Sequence, residues 1–291
     1  MRVLNRMTTR RPRNVTRRGV VAVIVRLSLA AVLTWCVGTM VTAAELYQAQ
    51  TIVTGQGETN RSIGFASCLE DVLIKVSGAL QLAGDPRLAA YKARAADLVT
   101  SYRYHDQMSG LPKGDEQGTR DRPYDLTADF DAGKIDAILD ALGLKPWPSH
   151  RPVLAVFVEM EQGASRYVVT SDARQSDLQR DSLRAAAAKR GMTIVLPDVA
   201  AWTTTNGDGV PLAALPPTTL AAGAIALGAE VALVGRLVWD ESELGWATEW
   251  RMDWQGRSHR WQRRGVTFDD GFRQGIGGAA QVLSGNGDPA M

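Results

Sequence analysis

Residues 246–254 alternate without a break. Trp246, Thr248, Trp250, Met252 and Trp254 are separated by Ala247, Glu249, Arg251 and Asp253. A period of two sends the two sets to opposite faces of an extended strand and does not fit a helix. Gln255-Gly256 follows, and a glycine free to take positive φ suits a two-residue hairpin loop. With that loop, Trp254 pairs with Arg257 and Trp250 lies opposite Trp261. A preceding turn at residues 240–243 puts Leu233 opposite Trp250 and Leu237 opposite Trp246. Cross-strand partners share a face, so Leu233, Trp250 and Trp261 form one row of a three-stranded antiparallel meander. The other face carries Glu249, Arg251 and Asp253 facing Arg260 and Gln262, a solvated surface with cross-strand charge pairs.

The aromatic face needs a cover. Helices near residues 220–227 and 272–283 can supply it and make it core. Left open, Trp246, Trp250, Trp254 and Trp261 would form an aromatic binding face, stacking on sugar rings or on a partner's apolar side chains. Gly271, Gly275, Gly277 and Gly278 fall in the final helix. No G-x-G-x-x-G follows a strand there, so these glycines imply close helix packing rather than a nucleotide site. Asp269 or Asp270 would cap that helix, and the tail beyond Ser284 is expected to fray.

Upstream, residues 45–145 have the order β-α-α-β-β-α. Residues 46–53 suit a strand. Asn60 can cap a helix whose apolar face runs Phe65, Leu69, Val72, Val76, with Cys68 on the same side as a small buried hydrophobe. Asp85-Pro86 opens a second helix with the stripe Leu88, Tyr91, Ala95, Leu98 and Val99. Tyr102-Arg103-Tyr104 and residues 124–130 read as paired strands around a Gly/Pro-rich loop at 109–123. Asp131 caps a short helix carrying Ile135, Ile138, Leu139 and Leu142, which Gly143 ends. The two prolines of residues 145–150 mark a boundary. Residues 153–158 then form an unbroken apolar strand of the kind covered on both faces, with residues 166–170 as its partner. A helix at 176–189 turns Leu178, Leu183, Ala186 and Ala187 inward, and a short strand lies at 193–196. A long Gly/Pro-rich loop fills 203–217, Thr218 or Thr219 caps a helix ending at Leu227-Gly228, and an apolar strand fills 231–239. The expected class is α/β (α+β): two small α/β domains at 45–145 and 151–284, the second with its Trp-rich three-stranded antiparallel meander packed on helices, and a disordered tail at 285–291.

Residues 1–44 read as an address. Eight of the 33 basic residues stand there and no acid precedes Glu45, while an apolar run covers residues 27–43. Val41-Thr42-Ala43-Ala44 places small residues where a signal peptidase cuts, after Ala43 or Ala44. The long basic stretch is compatible with a start at Met7. An uncleaved anchor is the alternative, with the arginines held in the cytoplasm. Both place the main body beyond the inner membrane, and no later apolar run approaches spanning length. Removing the eight leaves 25 basic against 31 acidic residues, a net charge near −6, which is no footprint for nucleic acid. Cys36 follows Trp35, not the small residue a lipoprotein signal requires. Cys68 is then the single cysteine of the body, so stability must come from packing and not from a disulfide.

Several of these segments occur together elsewhere. Residues 71–78 (Asp-Val-Leu-Ile-Lys-Val-Ser-Gly), the Tyr102-Arg103-Tyr104 strand, Phe130-Asp131 and the passage Leu142-Gly143, Trp147, Arg151-Pro152-Val153-Leu154 resemble a family of exported proteobacterial proteins known only as a domain of unknown function. The resemblance implies export and fold and carries no catalytic residues. The helix, Leu-Gly-Ala, strand, Gly passage near 227–235 also resembles, by analogy alone, α/β domains of envelope accessory proteins.

The chemistry-bearing residues are scattered. His105, His150 and His259 lie far apart in sequence, without H-x-x-x-H or C-x-x-C spacing, so no metal site is expected. No G-x-S-x-G elbow occurs. Glu241 with Glu243, and Asp269 with Asp270, sit at turn and cap positions. No catalytic residue and no cofactor is assigned. The reading is an exported envelope protein working in the periplasm as a noncatalytic binding or assembly module. Its partner would be an envelope protein or a cell-wall component, and it would touch the inner membrane only through the N-terminal segment. The alternative is an envelope hydrolase acting on cell-wall glycan or peptide, since glycosidase carboxylates leave no local signature.

Overall fold

The structure is a computed structural model describing residues 43–110, 122–147, 150–207 and 209–290. The basic and apolar N-terminal segment, Cys36, and most of the loop expected at 109–123 lie outside those residues.

A helical turn, α1 (Ala43–Leu46), leads into β1 (Gln48–Thr54). Helix α2 (Glu58–Ser77) buries Phe65, Leu69, Val72 and Val76, as their spacing requires, with Cys68 beside them at 0% exposure. Burial pushes the Cys68 thiol up to about 12, which keeps it a neutral, inert hydrophobe. The N-cap is Gly57 and not Asn60, whose amide turns back to the Thr54 carbonyl.

The second expected helix comes apart. Turns of 3₁₀ helix at Pro86–Leu88 and Ala95–Leu98 flank a short α3 (Ala89–Lys92), because Arg94 leaves the helical region at φ −120°. Leu88 and Ala95 are still buried, but Val99 begins β2 (Val99–Asp106). Strand β3 (Pro123–Phe130) follows, then α4 (Ala132–Ala141), whose cap Asp131 accepts the Lys134 amide at 3.0 Å. The three strands form an antiparallel sheet in the order β1-β3-β2. Its inner face, Val53, Leu126, Ala128 and Phe130, packs on α2 and α4.

The second half contains β4 (Leu154–Gln162), β5 (Ser165–Val168), α5 (Asp177–Lys189), β6 (Ile194–Val195), α6 (Val199–Thr205) and α7 (Pro217–Ala226). The meander β7 (Val231–Asp240), β8 (Gly245–Trp254) and β9 (Arg257–Val266) follows, then α8 (Phe268–Leu283). The sheet runs β5-β4-β7-β8-β9, with β6 also beside β4. β4 is parallel to β6 and β7, and the remaining pairs are antiparallel. A helix crossover between parallel strands explains the unbroken apolar sequence of β4. Leu154, Val156, Val158 and Met160 enter one core, with α5 and α8. Ala155 and Phe157 enter a second core with Leu220 and Ala224 of α7. The class is α+β, with a mixed and an antiparallel sheet, as the sequence pattern implies.

Three local expectations change. Residues 203–217 are not one open loop: α6 takes their start, and Leu212 and Leu215 are buried in the second core. Helix α7 begins behind Pro216 with no side-chain cap, so neither Thr218 nor Thr219 plays that role. Leu178 faces outward at 71% exposure, since it falls in the first turn of α5, away from the Leu183, Ala186, Ala187 stripe.

The segments either side of residues 145–150 are tied together. The Trp147 amide donates to the Val76 carbonyl at 2.7 Å. Arg151 lies over the Trp147 ring, 4.3 Å from its centre, and donates to the carbonyls of Lys75, Trp147 and Arg190. Buried Asp71 holds Lys189 at 2.9 Å and Arg190 at 3.3 Å.

Candidate functional site

The hairpin has the expected inner register. Trp254 pairs with Arg257 and Trp250 with Trp261, around a Gln255-Gly256 turn with φ of 50° and 77°. On the other side the register is displaced by two residues: Gly235, not Leu233, faces Trp250, and Trp239 faces Trp246. The turn lies later than expected because Asp240 closes it, its carboxylate accepting the Ser242 and Glu243 amides, and Leu244 takes a φ of 47°. A two-residue displacement keeps every side chain on its face, so the tryptophan row survives with Gly235 in it.

That row is covered by α8. A Cβ on Gly275 would stand 2.3 Å from the Trp250 indole, and one on Gly278 2.6 Å from Trp261. The glycines therefore let the helix backbone rest on the rings. Trp250 is 2% and Trp261 3% exposed, Trp246 is buried, and Trp254 is half-buried. The helix near 220–227, expected as a second cover, lies on the opposite face of the sheet. Thr267, rather than Asp269 or Asp270, caps α8, accepting the Asp270 amide at 3.1 Å. Residues 285–290 fold back: Asn286 donates to the Ser77 carbonyl at 2.9 Å, and Asp288 meets the Nδ1 of His259. His259, on the edge strand β9, is buried opposite Met252.

The opposite face of the meander is half roofed. α7 and the segment containing Leu212 and Leu215 cover its lower part, and beyond them opens a cleft of about 350 Å³ lined by Leu212, Ala213, Val234 and a set of polar side chains. Those are Arg236 of β7, Glu249 and Arg251 of β8, and Arg260 and Gln262 of β9. Arg251 and Arg260 are direct cross-strand partners, as are Arg236 with Glu249 and Glu249 with Gln262. The face expected to be solvated is thus partly enclosed.

Its charges are unevenly satisfied. Arg236 donates to Glu161 of β4 at 2.7 Å; that bond raises the arginine and holds the Glu161 carboxyl below its usual range. Arg251 donates to the carbonyls of Leu212 and Leu215, each at 3.2 Å. Burial first, then the neighbouring Arg260, lowers its pKa. Under the roof, Glu159 is 2% exposed, accepts the Leu212 amide at 2.7 Å and meets Arg166 at 2.9 Å. Burial is the main force pushing its carboxyl upward. Its role in the geometry is a clip that fastens the 206–216 segment to the sheet.

The remaining candidates stay apart. His105 approaches Asp125 at 3.5 Å on the first sheet, and His150 meets Glu230 at 2.7 Å at the foot of β7. Glu243 reaches Arg264, and Asp270 reaches Arg273. Among the described residues, no three His, Cys, Asp or Glu side chains converge as metal ligands, and no helix is long and apolar enough to cross a membrane. The arginine cleft escaped the sequence because its residues come from three strands and one loop. The signal present was the Arg251–Arg260 pairing, a like-charge juxtaposition implied by the hairpin register.

Residues 41–148 match the model of a domain of unknown function (DUF8605). No curated protein matches the sequence.

Proposed function

We propose that this chain is a noncatalytic binding or assembly module of the bacterial envelope, exported by its N-terminal segment and working in the periplasm. Its partner is an envelope protein or a cell-wall component. The observation that carries this reading is the state of the cleft's charges. The two acids of β4 beside it are engaged, Glu161 by Arg236 and Glu159 by Arg166 and the Leu212 amide, so that Glu249 is the one carboxylate among the described lining residues, against the cations of Arg236, Arg251 and Arg260. Such a surface is suited to holding a ligand. The arginine-rich start, the apolar run and the small residues at 41–44 support export.

One observation favours a second reading. Glu159 and Glu161 share a face of β4, and their surroundings push their carboxyls in opposite directions, the pattern of an acid paired with a carboxylate. That would make the chain a hydrolase of cell-wall glycan or peptide. The burial of Glu159 weighs against it.

Incubating the purified chain with isolated cell wall separates the two. The binding reading predicts co-sedimentation without release of reducing ends or free amines. Released products that disappear in Glu159→Gln would establish the hydrolase instead. Osmotic-shock fractionation tests the location: the chain belongs in the periplasmic or membrane fraction, and the intact chain in the cytosol would refute export.

A further inference from the structure

Arg251 and Arg260 are placed against simple electrostatics. They stand directly opposite one another on β8 and β9, where like charges oppose strand pairing. Asp253, two residues along β8, offsets part of the repulsion on Arg251. Among the described residues, however, neither arginine forms an ion pair with a carboxylate. They are not equivalent. Arg251 is half-buried and fixed by the Leu212 and Leu215 carbonyls, so its guanidinium is already oriented. Arg260 is exposed and lines the same opening. Arg236, the third cation, is engaged by Glu161.

The opening also has an apolar part. Leu212, Ala213 and Val234 supply its apolar lining, and Gln262 sets a neutral amide opposite Glu249, the one carboxylate in the described lining, which stands across β7–β8 from Arg236. Two guanidinium groups side by side, one rigid and one free to close, match the paired oxygens of a carboxylate or phosphate. About 350 Å³ suits a small molecule and not a folded partner.

We propose that this cleft binds a small organic anion, whose carboxylate or phosphate bridges Arg251 and Arg260 while its apolar body lies against Leu212 and Val234. The proposal rests on the binding reading above and gives it a site and a ligand class. Binding adds counter-charge to that of Asp253 and Glu249, and so stabilises the β8–β9 pairing as well as the ligand.

The test is calorimetric titration of the full chain with two probes, N-acetyl-dialanine as the carboxylate and methyl phosphate as the phosphate. N-acetyl-dialanine amide is the uncharged control. One anion should bind with a Kd at or below about 1 mM and the amide at least about tenfold more weakly, and which anion binds identifies the group. Arg260→Gln should weaken binding by about tenfold or more with a melting temperature unchanged or slightly raised, since its side chain is exposed and one of the two opposed charges is gone. Arg251→Gln should do the same but also loosen the Leu212–Leu215 segment, so Arg260→Gln is the decisive variant. Asp253→Asn should tighten binding. Failure of both anions to bind below about 10 mM, or equal binding by Arg260→Gln, would overturn the proposal. A chain inert on cell wall that ignores both anions refutes this inference alone. A chain that binds an anion yet degrades cell wall refutes the noncatalytic reading.

Discussion

Replacing Gly275 by alanine tests whether α8 rests directly on the tryptophan row. An added Cβ would lie 2.3 Å from the Trp250 ring, while a Cβ on Gly235 would lie 2.5 Å from the same ring. The indole is therefore confined from both sides. Carbon atoms pack at about 3.5–4.0 Å, so helix and ring must separate by more than about 1 Å. Overpacking of this kind costs about 1–3 kcal/mol; the rigidity of the ring puts Gly275 near the upper end. Alanine's better helix propensity returns about 1 kcal/mol, leaving a net loss of about 2 kcal/mol. Gly133, in α4, is the control: a Cβ there meets only the Asp131 carboxylate oxygen at 3.4 Å, so Gly133→Ala should gain up to about 1 kcal/mol. Shrinking the ring with Trp250→Leu should remove the conflict, and Gly275→Ala in that background should be neutral or stabilising, a coupling of about 2–3 kcal/mol. Urea unfolding followed by far-UV circular dichroism gives each value. Stabilisation by Gly275→Ala alone, or additivity with Trp250→Leu, would refute the packing.

Other outcomes follow from single contacts. Asp71→Asn removes the carboxylate from buried Arg190 and from Lys189, and should cost about 3–5 kcal/mol in the same urea assay; a loss under about 1 kcal/mol would mean the ion cluster does not join the two halves. Glu159→Ala leaves the Leu212 amide without its acceptor, a loss of about 1–3 kcal/mol locally. Hydrogen exchange at Leu212 should then quicken by about tenfold or more, and unchanged exchange would dismiss the clip. Lys75 has its pKa pulled down to about 8, by burial first and by Arg151 and Arg190, against the pull of Asp71. Above pH 8 the unfolded chain therefore binds more protons than the folded one, and stability should rise with pH. The rise should flatten near pH 9, where the unfolded Cys68 thiol ionises while the folded one, pushed to about 12, does not. Urea midpoints between pH 7.5 and 9 should lose this slope in Lys75→Met, and a slope that persists would assign it elsewhere.

The elements most legible in the sequence were those with a strong period. The Trp246–Trp254 alternation gave β8, its face and its pairing with β9, because a two-residue turn leaves a single register. The β7–β8 register was less determined: residues 240–245 admit more than one turn, and the choice depended on the Asp240 carboxylate closing over Ser242 and Glu243. Helix α6 was hidden by its three consecutive threonines, poor helix formers whose hydroxyls bond back to the carbonyls of Val199, Ala200 and Ala201. The cleft was harder still. Arg251 looks like an ordinary solvent-facing strand residue until Leu212 and Leu215 fold over it, and nothing in a strand's own pattern reveals what a distant loop will cover.

Whether this chain holds the proposed ligand or transforms it is the central question. Calorimetry of the purified chain against solubilised cell-wall fragments measures both at once. Binding predicts heat that saturates near one equivalent per chain and is lost with Arg260→Gln. Sustained heat that continues with time after each injection, and vanishes with Glu159→Gln, would contradict it.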